Sequence, residues 1–456
     1  MNAVNAPEAK DPGSLHRALL TYDKETGQSL GCWALIAALN LAAQIIFRRE
    51  LNPGEFGTLN TALGAIGLMT LPALALNQAF THYFAREHAG ESSARIGLLR
   101  ASALIASETF ALVWGGLCLV LVFVLSTLLG VPRFSLELFL LLNVLIAVGS
   151  VISGAVCERG HRLRLWAGLL TAAAFARVLA GAGLTSQQPW AEAGLAAVLL
   201  AGLITMIPAL QARETTFAAR RAAWRAVLDR DFLLCAGATF SVLLALFLFS
   251  SADRVVAQSC FGTTLSERIP VSTGSLGAAS SEKYTYVTSV VDWNAFDGYQ
   301  TAGLLARALL WGTQPLLWIL FAHRSQLART TPASLTFFWI YLGALPAGAL
   351  LLGGLAQPLS RLFCGADFQS TAHFVPSLAA TMVPLGLLQA LGVFSLASRR
   401  YHECFTLGAC SIGYAFILFF FARQPLLMPA YMFGGSLISL MILLFVGVVR
   451  WGRKQP

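Results

Sequence analysis

Apolar runs of roughly 18 to 25 residues recur along almost the whole of this 456-residue chain, and each is long enough to cross a hydrocarbon layer of about 30 Å as a helix. Lipid offers no water to the backbone, so such runs must satisfy their own amides as helices. Only 12% of residues are charged and 57% are hydrophobic, whereas a soluble domain carries roughly 25% charged residues. An ordinary globular protein is excluded. The expected fold is an all-α, polytopic membrane protein.

Twelve spans are predicted, at residues 30–47, 56–84, 107–129, 136–156, 165–184, 194–207, 232–249, 299–321, 335–352, 374–397, 405–421 and 427–449. Basic residues test this division, because Lys and Arg gather in cytoplasmic loops. Most of the 31 basic residues fall on the side that carries both termini, including Arg159, Arg162 and Arg164 and the cluster Arg213, Arg220, Arg221, Arg225 and Arg230. Both termini are therefore expected in the cytoplasm. The net charge of +9 thus reads as topology and contact with membrane lipids, with no nucleic-acid partner implied.

The spans divide six and six. Residues 1–29 form a cytoplasmic tail, 30–210 a first six-helix bundle, 211–231 an amphipathic linker, 232–450 a second six-helix bundle, and 451–456 a second tail. The linker places Phe217, Trp224 and Leu228 at helical spacing among arginines, as a helix lying on the inner surface does. Residues 262–298 form an extracytoplasmic insertion, Ser/Gly-rich at first and then able to form a short strand from Tyr284. A 6+6 arrangement is that of transporters whose half-bundles rock about a central site. Thr61-Ala62 in the second span are echoed by Thr301-Ala302 in the eighth. Prolines inside spans, among them Pro72, Pro315, Pro346 and Pro384, each remove a backbone donor.

A charge at the bilayer centre costs roughly 2.5–3.5 kcal/mol on insertion scales, so intramembrane arginines are site candidates. Arg177 and Arg307 each sit eight residues from the outer end of a span, about 12 Å deep at 1.5 Å per residue. One lies in each half, as a shared anion site requires, and a guanidinium fork suits phosphate oxygens. Asp253, beside Arg254 at the end of span 7, is a candidate for pairing with an arginine or for ion coupling; Glu108 is a second coupling candidate. Asn40 and Gln44 share a face of span 1, and Asn77 and Gln78 belong to polar rows of span 2; these rows either glue helices or coat a cavity.

Other chemistries find little material. None of the four lysines follows a phosphate-cradling glycine turn, and no HExxH or GxSxG occurs. The eight cysteines form no CxxC pair. No catalytic residue, metal site or cofactor is assigned.

Four stretches carry a family resemblance. Residues 47–57, FRRELNPGEFG, resemble the LGPEEYG-type linker between the first two helices of bacterial polysaccharide-biosynthesis exporters. Residues 250–254 running to Phe261-Gly262 resemble the aspartate-containing end of their helix 7, and Gly298-Tyr299-Gln300-Thr301-Ala302 is similar to the GxYxxA start of helix 8. Residues 362–368, LFCGADF, followed by a helix ending in Leu396-Ala397-Ser398-Arg399-Arg400, match a further pattern. The resemblance is to O-antigen flippase-type exporters of the multidrug/oligosaccharidyl-lipid/polysaccharide (MOP) superfamily. It implies a bacterial inner-membrane flippase that moves an undecaprenyl-diphosphate-linked oligosaccharide by alternating access, with surface-polysaccharide polymerase or ligase proteins as candidate partners. It also makes Arg307 similar to a helix-8 arginine of lipid II flippases. The 262–298 insertion and the lack of an arginine in span 1 favour an exopolysaccharide or O-antigen unit over a peptidoglycan precursor. The alternatives are a membrane glycosyltransferase or ligase, a drug/cation antiporter of the same superfamily, and a non-transporting partner of polymerases.

Overall fold

A computed structural model describes residues 31–32, 34–52, 54–87, 114, 116–117, 134–159, 163–208, 230–261, 268–270, 284–286, 293–326, 332–365, 368–422 and 426–452. The predicted linker helix before residue 230, most of span 3 and Glu108 lie outside the described residues.

The described helices are α1 (34–50), α2 (Glu55–Glu87), α3 (Phe134–Arg159), α4 (Leu163–Thr185), α5 (Ala191–Thr205), α6 (Arg230–Phe261), α7 (Trp293–Gln326), α8 (Pro332–Gly354), α9 (Ala356–Cys364), α10 (Phe368–Ala397), α11 (Tyr401–Phe421) and α12 (Met428–Gly452). Within 262–298, β1 (Arg268–Pro270) pairs antiparallel with β2 (Tyr284–Tyr286). Among the described residues the regular structure is helical apart from this hairpin, and the chain is a multi-pass membrane protein. Six helices are individually long and apolar enough to span a membrane, and α8 with α9 forms a further bent pair.

Packing explains the order of the helices. One apolar core is built from α1 to α5, around Phe47, Phe56, Leu59, Val144 and Leu195. A second is built mainly from α6 to α12, around Phe249, Tyr299, Leu378, Leu407 and Met432. The two cores meet where α2 lies along α6, through Leu71, Ala75 and Leu243 and then Ala79, Phe232 and Cys235. Facing away from the cores, α11 and α12 expose Phe416, Phe420, Phe421, Met441 and Phe445, the apolar surface that lipid requires. The helices continue through Pro72, Pro346, Pro376 and Pro384, because neighbouring helices can re-satisfy the freed backbone groups.

Three boundaries differ from expectation. Span 7 was expected to end at 249, where Ser250, Ser251, Asp253 and Arg254 begin a polar run, yet α6 continues to Phe261. Span 8 was expected from Tyr299, yet α7 starts at Trp293 and takes in the end of the 262–298 insertion. Span 9 does not stop at 352: after Leu355 the chain bends by 67° into α9, whose apolar residues Phe363 and Ala356 are buried while Arg361 is exposed.

The closest approach of α2 to α7 is set by a glycine. A Cβ at Gly57 would fall 2.0 Å from the ring of Phe296, which is itself fully buried and has nowhere to go. Gly57→Ala should therefore cost about 1–3 kcal/mol through overpacking. Thermal unfolding in detergent is expected to show a lowered midpoint, partly restored by adding Phe296→Leu; an unchanged midpoint in the single variant would contradict this contact.

Candidate functional site

At the end of the bundle that the charge distribution assigns to the outside, here called the outer end, one carboxylate joins α7 to the start of α2. Asp297, in the first turns of α7, accepts hydrogen bonds from the backbone N–H groups of Gly54 (2.8 Å) and Gly57 (2.7 Å). These are donors that the N-terminus of α2 leaves without helical partners, and the helix dipole favours an anion there. Gly54 supplies the positive φ of 84° with which the chain enters α2. Arg48 lies 3.7 Å from the same carboxylate. Neighbouring residues of this linker hold the rest of the outer end. Glu55 accepts from the N–H of Ala191 at the start of α5 (3.0 Å), and Arg49 donates to the carbonyl of Leu362 on α9 (2.6 Å).

Further in, over roughly the next three turns of α7, lies a buried charge cluster on α6 and α7. Arg307 is 1% exposed and Asp253 is fully buried. Nη2 of Arg307 donates to both carboxylate oxygens of Asp253, Nε donates to the carbonyl of Ser250, and the Tyr299 hydroxyl donates to Asp253 at 3.1 Å. The adjacent Arg254 is also buried. Its carbonyl accepts from Thr61 of α2 and from Gln300 of α7, each at 3.2 Å. Its guanidinium lies 5.9 Å from the ring centroid of Trp311. Two guanidinium groups and one carboxylate leave this cluster with one positive charge in excess.

The predicted site residues separate into two groups. Nη1 of Arg177, on α4, donates to Oδ1 of Asn40 on α1 (2.9 Å), and Gln44 lies one turn along from Asn40 with a buried Oε1 that has no hydrogen-bond partner among the described residues. Arg307 and Asp253 form the second group. Each arginine is thus held within its own half, and no described contact joins them. Asn77 and Gln78 lie on α2 about 30 Å inward of Gly57 at 1.5 Å per residue, away from both groups. Arg254, Asp297, Arg48 and Trp311 were not chosen from the sequence. Their signal was present, as an acid just before the Gly298-Tyr299 helix start and a second basic residue after Asp253, but it resembled loop chemistry. Among the described residues no three His, Cys, Asp or Glu side chains converge as a metal site would need.

Comparison with solved structures places the fold. A lipid II flippase, MurJ, in an inward closed conformation superposes with a TM-score of 0.64 at 12% identity, covering 91% of this chain and 86% of that one. A MATE-family multidrug resistance transporter of the MOP superfamily, inward-facing, gives 0.62 at 12% identity over 92% of this chain and 96% of its own. A eukaryotic MATE transporter gives 0.63 at 10% identity, covering 94% and 96%. The chain has the MOP-transporter fold. No family model and no curated protein sequence matches it.

The contacts at the outer end can be tested by accessibility. Thr61 is 1% exposed just beneath the Asp297 cap. In a chain whose native cysteines are replaced, Thr61→Cys should react poorly with a membrane-impermeant maleimide added outside. Adding Asp297→Ala removes an N-terminal cap, a change of roughly 0.5–2 kcal/mol, and should raise labelling several-fold. Equal labelling with and without Asp297 would show that the carboxylate does not hold the outer end shut.

Proposed function

We propose that this protein is a flippase that moves a lipid-linked oligosaccharide, carried on undecaprenyl diphosphate, across the bacterial inner membrane for surface-polysaccharide assembly. The observation that carries the proposal is an excess of buried positive charge where the two halves of a MOP-type bundle meet, beneath an outer end clasped by Asp297. An uncompensated guanidinium inside a membrane bundle is costly, and a phosphate-bearing substrate provides the missing counter-charge during transport. Opening and reclosing the clasp between α2 and α7 while α2 stays packed along α6 gives the rocking motion that alternating access needs. The relation to MurJ and MATE proteins is one of fold, and the lipid-linked substrate is inferred from the charge cluster together with the resemblance of the linker and helix-8 motifs.

Two rivals fit less well. A drug/cation antiporter would use a carboxylate deep in the helices to bind a cation; Asp253 has that position, but Arg307 and Tyr299 already occupy its oxygens. A glycosyltransferase would draw on Glu267, Glu282, Asp292 or Asp297 at the outer face; the first three lie outside the described residues, and the oxygens of Asp297 are committed to Gly54 and Gly57.

Deleting the gene should cause a completed undecaprenyl-diphosphate oligosaccharide to accumulate on the inner leaflet, seen by lipid extraction with mass spectrometry, and surface polysaccharide should be lost. Normal surface polysaccharide with no accumulated intermediate would exclude the proposed substrate.

A further inference from the structure

The cluster contains two buried arginines, and their hydrogen bonds assign them different tasks. Arg307 uses Nε on the carbonyl of Ser250 and Nη2 on Asp253, leaving only Nη1 without a partner among the described residues. Arg254 is the reverse. Its Nε and Nη2 are both buried and have no hydrogen-bond partner among the described residues, and the side chain is more than nine-tenths buried. Those two nitrogens form one edge of the guanidinium, the edge that grips a carboxylate or phosphate with two parallel hydrogen bonds.

The surroundings show where this edge lies. Phe296, Gln300, Arg307 and Trp311 are spaced by four, seven and four residues, so they share one face of α7. At the outer end that face is shut: Phe296 is fully buried against Gly57, and Gln300 is 1% exposed and bonded to the Arg254 carbonyl. Further inward on the same face Trp311 is 46% exposed. The guanidinium of Arg254 lies 5.9 Å from the centroid of that ring, at the border between the packed seam and this exposed indole. An indole beneath a guanidinium steadies its plane without using its N–H groups, which remain available to a ligand.

We propose that Arg254 is the anion-gripping residue of this transporter, binding a phosphate group of its cargo through the Nε/Nη2 edge, and that Arg307 is a structural residue whose pairing with Asp253 ties α7 to α6. This proposal deepens the flippase reading and shares its phosphate chemistry, but it can stand without the lipid-linked cargo. Any phosphate ester or diphosphate that reaches the seam meets the same fork, while Asp253 already accepts from Arg307 and Tyr299.

A binding group kept without a partner weakens the empty protein, whereas a locked pair supports it. Arg254→Gln should therefore leave the thermal midpoint of the ligand-free protein unchanged or raised, and Arg307→Gln should lower it, with recovery when Asp253→Asn is added. Binding is measured on the purified full chain in nanodiscs with two probes, inorganic diphosphate and undecaprenyl diphosphate. Wild-type protein is expected to bind both. Arg254→Gln should weaken both at least tenfold, Arg254→Lys should recover part of the loss, and the Asp253→Asn/Arg307→Gln double variant should stay within a few-fold of wild type. Arg254-dependent binding of inorganic diphosphate alone would uphold the anion site and remove the lipid-linked cargo. Binding of both probes that Arg254→Gln leaves unchanged, failure of wild type to bind either probe, or loss in the double variant equal to that in Arg254→Gln would overturn the assignment.

Discussion

Inside a bundle surrounded by hydrocarbon, a guanidinium persists only where a counter-charge, a hydrogen-bond acceptor or water meets it. The interior of this protein is organised around that constraint. Arg307 meets Asp253 and the Ser250 carbonyl, Arg177 meets Asn40, and Arg48 approaches Asp297. Arg254 breaks the pattern, since its side chain lies over an aromatic ring with one hydrogen-bonding edge unused. The departure falls where α2, α6 and α7 converge.

The outer clasp uses the same economy of charge with backbone amides as partners. Asp297 satisfies two N–H groups at the start of α2, Glu55 satisfies one at the start of α5, and Arg49 reaches α9. A single short linker between α1 and α2 therefore reads out the position of both halves and of the bent α8–α9 element. These hydrogen bonds stand beside the tight packing of Gly57 on the buried Phe296 ring. The α2–α6 packing below it, apolar from Gly67 against Phe247 to Ala79 against Phe232, suits a hinge that stays closed.

Much of the architecture was legible from sequence because membrane insertion writes itself in one dimension: apolar length sets the spans. The Thr61-Ala62 and Thr301-Ala302 echo also had structural content. Thr61 and Thr301 each bond back to the carbonyl four residues earlier, and they lie on α2 and α7 where those helices meet. What could not be read was which polar residues belong to the membrane interior. Arg254 and Asp297 resembled loop residues because charge normally ends a span, yet each lies inside a helix, supported by partners from 46 to 243 residues away in sequence. Equal depth suggested that Arg177 and Arg307 share a site, but depth carries no information on which way a side chain turns. Arg177 turns to α1 and Arg307 to α6. The bend after Leu355 was hidden because Gly353 and Gly354 read as the end of a span, not as a corner within one.

The most direct test of the account is translocation by the purified protein alone. With a fluorescent undecaprenyl-diphosphate oligosaccharide in one leaflet of unilamellar vesicles, protein-containing vesicles should expose it to an impermeant glycosidase in the other leaflet well above the rate in protein-free vesicles. Equal rates in the two preparations, with the protein folded and inserted, would contradict the central claim.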